Sequence, residues 1–151
     1  MRTRHLFVAV VLAAFLGVSV DAQEAPAAGR HGRLYPPRDL GLLEGPDRDA
    51  WQKPDEIMDA LGIADGATVA DIGPGAGWFT IRLARRVGPN GRVFATDVQP
   101  QMLEAVRRRV AREGLLNVET RRGSDSDPNL PLRSLDAVLA VDMYPEVEDR
   151  V

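Results

Sequence analysis

The amino-acid sequence predicts an α/β domain with a mostly parallel, doubly wound sheet. Three observations carry that expectation. From about residue 50 onward, short apolar runs alternate with amphipathic helical segments. The loops between them are short and rich in glycine, proline and aspartate. The run at residues 137–141, Ala-Val-Leu-Ala-Val, is apolar at every position, as suits a strand covered on both faces.

The patterned region opens at residues 53–56, Lys-Pro-Asp-Glu, where proline suits the first turn of a helix and two carboxylates suit its positive end. Ile57 and Leu61 share a face of that helix, and Gly62 ends it. Residues 68–72, Thr-Val-Ala-Asp-Ile, form a first strand that breaks into the loop Gly73-Pro74-Gly75-Ala76-Gly77. A helix over about 78–87 follows, with Phe79, Leu83 and Val87 spaced to bury one side, and Gly-Pro-Asn-Gly at 88–91 stops it. Residues 92–97 form the second strand, and Pro100 starts a helix in which Met102, Leu103, Val106 and Val110 recur at helical intervals up to Gly114. Residues 117–121 are a third strand and 137–142 a fourth. Asp71, Asp97 and Asp142 then each stand at the carboxyl end of a strand, where open α/β sheets bind their ligands.

Composition excludes several kinds of chemistry. The 151 residues have room for one domain, and the formal charge of -3 argues against a dominant nucleic-acid surface. The arginine groups Arg85-Arg86, Arg107-Arg108-Arg109 with Arg112, and Arg121-Arg122 read as solvated helix and strand faces. The chain has no cysteine, which removes disulfides, zinc–thiolate sites and thiol nucleophiles. Both histidines, His5 and His31, lie outside the patterned region, so no histidine metal site or triad is expected and no metal is implied.

The N-terminus reads as an address. Arg2, Arg4 and His5 precede an uncharged stretch over residues 6–20, and Val20-Asp21-Ala22 offers small residues at the positions a signal peptidase reads. That stretch is shorter than the ~20 residues that span a bilayer comfortably, so residues 1–22 are expected to be a signal peptide cleaved after Ala22 rather than a retained anchor. The chain is thus expected to be exported, periplasmic or secreted. Residues 23–49, rich in Ala, Gly and Pro, read as a linker with Leu34, Tyr35, Leu42 and Leu43 available for docking. No internal repeat is visible.

The glycine loop is the most informative feature. Gly73, Gly75 and Gly77 remove the side chains that would hold a ligand away from the backbone and permit the dihedrals of a tight strand-to-helix turn. Free amides at the following helix N-terminus favour a carboxylate or phosphate, which by itself does not choose between adenosylmethionine and a dinucleotide. A dinucleotide fingerprint needs its third glycine at position 78, where Trp78 stands. Asp97, about twenty residues beyond the loop, suits both hydroxyls of an unphosphorylated ribose; it reads alternatively as a helix-initiating carboxylate before Gln99 and Pro100.

The segment Val-Ala-Asp-Ile-Gly-Pro-Gly-Ala-Gly-Trp-Phe-Thr-Ile-Arg-Leu-Ala at 69–84, followed by Gly-Arg-Val-Phe-Ala-Thr-Asp at 91–97 and Gln-Pro-Gln-Met-Leu at 99–103, resembles the first two motifs of class I S-adenosylmethionine-dependent methyltransferases. The likeness runs from about Trp51 to the end, in particular to exported bacterial methyltransferase-domain proteins. It implies a Rossmann-like fold of which residues 50–151 are the N-terminal part, the first four of seven strands, and S-adenosyl-L-methionine as cofactor. It also implies that Asp71, Gly73, Gly75 and Gly77 line the methionine and ribose, that Asp97 holds the ribose hydroxyls and that Val98 packs on the adenine. Asp125 is placed to meet the adenine amino group, with a solvated loop carboxylate as the other reading of Asp125 and Asp127. Asp142 and Tyr144 are candidates for the edge of the site, in a functional or a structural role. Pro145 stands where related sequences often have a histidine, so no catalytic base is named. The implied reaction transfers a methyl group to an unidentified acceptor, and a truncated chain of four strands is expected to be inactive alone. A nicotinamide-dependent oxidoreductase and a non-catalytic exported binding module are the other functional readings.

Overall fold

The computed structural model describes residues 7–11 and 34–142. Five parallel strands form one sheet in the order β1-β5-β2-β3-β4: β1 (Phe7–Val11), β2 (Thr68–Ile72), β3 (Arg92–Asp97), β4 (Val118–Arg122) and β5 (Ala137–Val141). The chain steps from β2 to β3 to β4 in one direction, then returns to β5 on the other side of β2. The order therefore reverses between β2 and β5, which creates a crevice above their carboxyl ends.

Alternation along the strands decides what each face meets. Val69, Val93, Ala137, Leu139 and Val141 point to one face, where they form a single buried cluster with Phe79, Leu83, Ala84 and Val87 of α3 (Trp78–Val87) and Met58 of α2 (Pro54–Ala60). The expected stripe of α3 is buried as read: Phe79 is 4% exposed and Leu83 and Val87 are fully covered. Helix α4 (Pro100–Arg112) buries Met102, Leu103 and Val106 on the same side and touches α3. The connection between β4 and β5 lies against the opposite face. There Thr96 donates to the Pro128 carbonyl at 2.6 Å, Arg121 donates to the Asn129 carbonyl at 3.2 Å, and the Arg121 guanidinium stacks 4.6 Å from the Phe94 ring centre.

Two turns fix the geometry. Below the sheet, Asn117 donates to the Ala84 and Gly88 carbonyls at 2.8 Å each, tying the start of β4 to the end of α3. Gly91 lies so close to its surroundings that a Cβ there would come within 2.5 Å of Val87 Cβ and 2.6 Å of the Ala67 carbonyl. Above the sheet, Gly73, Gly75 and Gly77 take φ of 66°, 56° and 83°, the left-handed region that other residues enter at a cost.

Two segments ahead of the patterned region also carry regular structure. Residues 7–11, read as the apolar centre of a targeting segment, lie as β1 beside β5, Phe7 opposite Ala137 and Val11 opposite Val141. A short valine-rich run suits a covered parallel strand as well as it suits a signal, and periodicity does not separate the two. The latter half of the expected linker is folded as well: a 3₁₀ segment at Pro37–Leu43 and helix α1 (Arg48–Gln52) precede α2. Neither has a helical stripe of its own, and both are held by tertiary contacts described below.

Candidate functional site

The crevice at the switch point is a cavity of about 80 Å³ above the carboxyl ends of β2, β3 and β5. Its floor is Gly73, Pro74, Gly75 and Ala76, its walls include Asp97 with Gln99 on one side and Val141 with Asp142 on the other, and Trp78 and Met102 close the base. Tyr35, Leu43, Glu44 and Arg48 form the roof. The sequence places the floor through the break of β2 into a glycine turn, and the walls through the ends of β3 and β5. The roof has no counterpart in the sequence reading beyond the docking allowed to Tyr35 and Leu43.

Asp97 is half-buried and accepts a hydrogen bond from the Gln99 backbone amide at 2.8 Å. This is the helix-initiating contact anticipated as its alternative reading. It leaves acceptor capacity for a second partner, since a carboxylate can take about four hydrogen bonds. Burial raises the Asp97 pKa from its ordinary value, and the Gln99 and Val98 amides oppose the rise.

Asp71 is placed differently. Its parity along β2 is that of Val69, so the side chain enters the layer between sheet and α3, where it is 2% exposed and accepts a hydrogen bond from Thr80 at 2.6 Å. Burial pushes its pKa up to about 6 against the Thr80 bond, which holds the ionised form. The carboxylate does not line the cavity. It ties the last turn of β2 to the first turn of α3 and so holds the glycine loop between them.

Of the remaining expected site residues, Gly73, Gly75 and Asp142 line the cavity. Gly77 is the residue before α3, with Val106 3.4 Å from where a Cβ would stand. Val98 is half-buried next to Asp97, and Asp125 is exposed in the loop after β4; neither lines the cavity. Asp142 takes a left-handed φ of 59° directly after β5, a conformation aspartate tolerates better than most residues. Tyr144 and Pro145 lie outside the described residues.

The roof is pinned at four points. Gln99 donates from its side chain to the Tyr35 carbonyl at 3.1 Å. Glu44 pairs with Arg109 of α4. Arg48 donates to the Leu43 carbonyl at 2.6 Å and reaches Asp142 at 3.4 Å. Leu40 and Leu43 lie 3.6 and 3.9 Å from where a Cβ on Gly75 would stand, so the 3₁₀ segment rests directly on the loop. Trp78 is 6% exposed and belongs to the buried cluster; its ring meets Phe79 edge-on at 4.8 Å and carries the Arg82 guanidinium at 3.6 Å and that of Arg48 at 4.4 Å. The indole thus fills the junction of roof, helix and loop, a role its residue type did not announce.

Comparison with known proteins places the chain in a family. Residues 69–151 match the family described as "Methyltransferase domain". Over 87 residues the chain is 36% identical to an arsenite methyltransferase of Halobacterium salinarum, covering 56% of this chain and 22% of that protein. Over 84 residues it is 34% identical to nocamycin O-methyltransferase of Saccharothrix syringae, covering 56% of this chain and 30% of that one. A solved SAM-dependent methyltransferase from Aquifex aeolicus superimposes with a TM-score of 0.72 at 29% identity, covering 77% of this chain and 62% of its own. The chain thus spans less than a third of the length of these two curated relatives.

Proposed function

Since this chain belongs to the methyltransferase domain family, we propose that the crevice above β2, β3 and β5 holds S-adenosylmethionine and presents its methyl group to an acceptor. The observation that carries the reading is the meeting of the Gly73–Gly75 backbone and the Asp97 carboxylate in one cavity at the switch point. The donor set fits the group: bare backbone on the floor lets a thioether chain lie close, and Asp97 has acceptor capacity for two ribose hydroxyls. When bound, S-adenosylmethionine supplies a methyl on a sulfonium, activated for displacement by an O, N, S or C nucleophile. The contribution of this chain is alignment and exclusion of water. Gly75 permits close approach, Asp97 fixes the ribose, and Val98 packs next to it as the adenine wall. The segment at Pro37–Leu43 covers the loop, so it must lift from Gly75 to admit a ligand larger than the 80 Å³ cavity.

Calorimetry on the full chain with S-adenosylhomocysteine and NAD tests the reading. Binding of the first and not the second is the expected result. Preference for NAD would overturn it in favour of a nicotinamide enzyme.

Export is part of the same proposal. It is supported by Arg2, Arg4 and His5 ahead of the uncharged stretch at 6–20 and by the small residues at Val20 and Ala22. Mass spectrometry of protein recovered outside the cytoplasm is expected to find Gln23 at the N-terminus, and an intact Met1 there would sink the export reading.

A further inference from the structure

Strand β4 is an edge of the sheet, and its ladder with β3 fixes which of its backbone groups are left over. In a parallel ladder, alternate residues turn both amide and carbonyl toward the neighbouring strand. The Asn117 carbonyl accepts from the Val93 amide at 2.9 Å, and the Gly123 amide donates to the Asp97 carbonyl at 3.1 Å. The odd-numbered residues of β4 therefore face β3, and Val118, Thr120 and Arg122 turn their amides and carbonyls outward. The Arg122 carbonyl accepts from the Asn129 side chain at 3.2 Å, which leaves it a second lone pair.

Glu119 and Arg121 share the face on which the β4–β5 connection lies. Arg121 donates to Glu119 at 2.8 Å, and Arg92 stands 4.0 Å from the same carboxylate. The Arg121 guanidinium is already ordered by the Phe94 ring at 4.6 Å and the Asn129 carbonyl at 3.2 Å. Charges on an edge ordinarily keep other chains away. Here their order makes one pairing attractive. Two copies of β4 lying antiparallel about a twofold axis at Thr120 place Val118 opposite Arg122 and, twice, Glu119 opposite Arg121 of the other copy. The outward residues then form the hydrogen-bonded pairs, and the charged residues form the closer pairs between them. Moving the axis to residue 119 sets Glu119 against its own copy, and moving it to residue 121 does the same to Arg121; like charges so placed repel.

A groove of about 820 Å³ opens at the lower end of β4, lined among others by Arg85, Arg92, Leu116 and Asn117, and Leu116 is 99% exposed beside it. With the axis at Thr120, Gly123 of the second copy falls opposite Asn117. The loop that follows it, with the exposed Asp125 and Asp127, then leaves beside the groove that the two arginines line. We propose that β4 is a dimer interface: two copies of this chain pair antiparallel about Thr120, joining their five-stranded sheets into one, with the Glu119–Arg121 pairs setting the register. A strand whose charges complement their own reversed order is suited to a second copy of itself. The interface is small, so the dissociation constant is expected between roughly 10 μM and 1 mM.

Sedimentation equilibrium of the full chain across that range, in low salt, provides the test. Wild type is expected to pass from monomer to dimer. T120P removes an outward amide and no bond to β3, and it should weaken the dimer about tenfold or more. E119R and R121E each set like charges opposite one another and should weaken it about as much. An equimolar mixture of the two should dimerise again, because each variant supplies the charge that the other lacks. A merely destabilised fold would not be rescued in this way. If R121E loses its fold along with its contact to Phe94, T120P and E119R decide: weakening in both supports the proposal, and an unchanged dimer in either overturns it. A wild-type chain that stays monomeric through about 1 mM also overturns it, as does a mixture of folded variants that fails to dimerise.

Discussion

Replacing Asp71 with asparagine removes a titration while keeping an acceptor for Thr80, and its effect on stability follows from the site. The wild-type carboxyl is fully buried between sheet and α3, with its pKa raised from 3.8 to about 6. A raised acid pKa means that the folded state disfavours the ionised form. The unfolded chain ionises from 3.8 upward, so folding takes up a proton between 3.8 and about 6. The penalty is absent below the lower value, grows through the window and is complete above the upper one. Two pKa units correspond to about 3 kcal/mol. The amide of D71N carries no such penalty and can accept the Thr80 hydroxyl that now lies 2.6 Å from the carboxylate. Urea unfolding of D71N and wild type, followed by tryptophan fluorescence at about pH 3.5 and about pH 7.5, measures the difference. The gap is expected to move toward D71N by about 3 kcal/mol across that range, and Asp97, present in both chains, cancels. A gap that stays flat with pH, or one that moves toward wild type, would falsify the argument that burial outweighs the Thr80 bond.

Other outcomes follow from the same contacts. D97N is expected to weaken S-adenosylhomocysteine about tenfold in calorimetry, since hydrogen bonds to a charged acceptor are worth roughly 1.5–3 kcal/mol; unchanged affinity would remove the ribose role. G91A places a Cβ against Val87 Cβ and the Ala67 carbonyl and should cost about 1–3 kcal/mol in thermal unfolding. E44Q removes the ion pair with Arg109 that pins the roof, so limited trypsinolysis after the exposed Arg38 should accelerate. Equal cleavage rates would mean that the apolar contacts of Leu40 and Leu43 hold the segment alone.

The elements that position the floor and walls of the cavity were legible because local signals agree there. Short apolar runs mark β2 and β3, glycine and proline punctuate α3 and α4, and the structure finds β2, α3 and β3 at the residues where the pattern puts them. Asp71 shows the limit of reading by residue type. An acid at the end of a strand suggested a ligand contact, but its parity with Val69 turns it toward Thr80, and parity was the available signal. The roof was missed for another reason. Tyr35, Leu40, Glu44 and Arg48 are ordered by partners on α4, β5 and the glycine turn, far away in sequence, and no local period marks such a segment. Arg48 in particular stands in a charged run, Asp47-Arg48-Asp49, that reads as solvent-facing.

The pairing of β1 with β5 sets an order of events in time. Residues 7–11 are synthesised well ahead of residues 137–141, and β1 has to wait for them before they offer it a partner. During that wait the same apolar residues are free to be recognised by whatever collects nascent hydrophobic segments. If the export proposal holds, capture and sheet completion are competing fates of one stretch of chain. Under the proposed export, cleavage after Ala22 would remove the competitor for good and leave the backbone groups of β5 open to another strand.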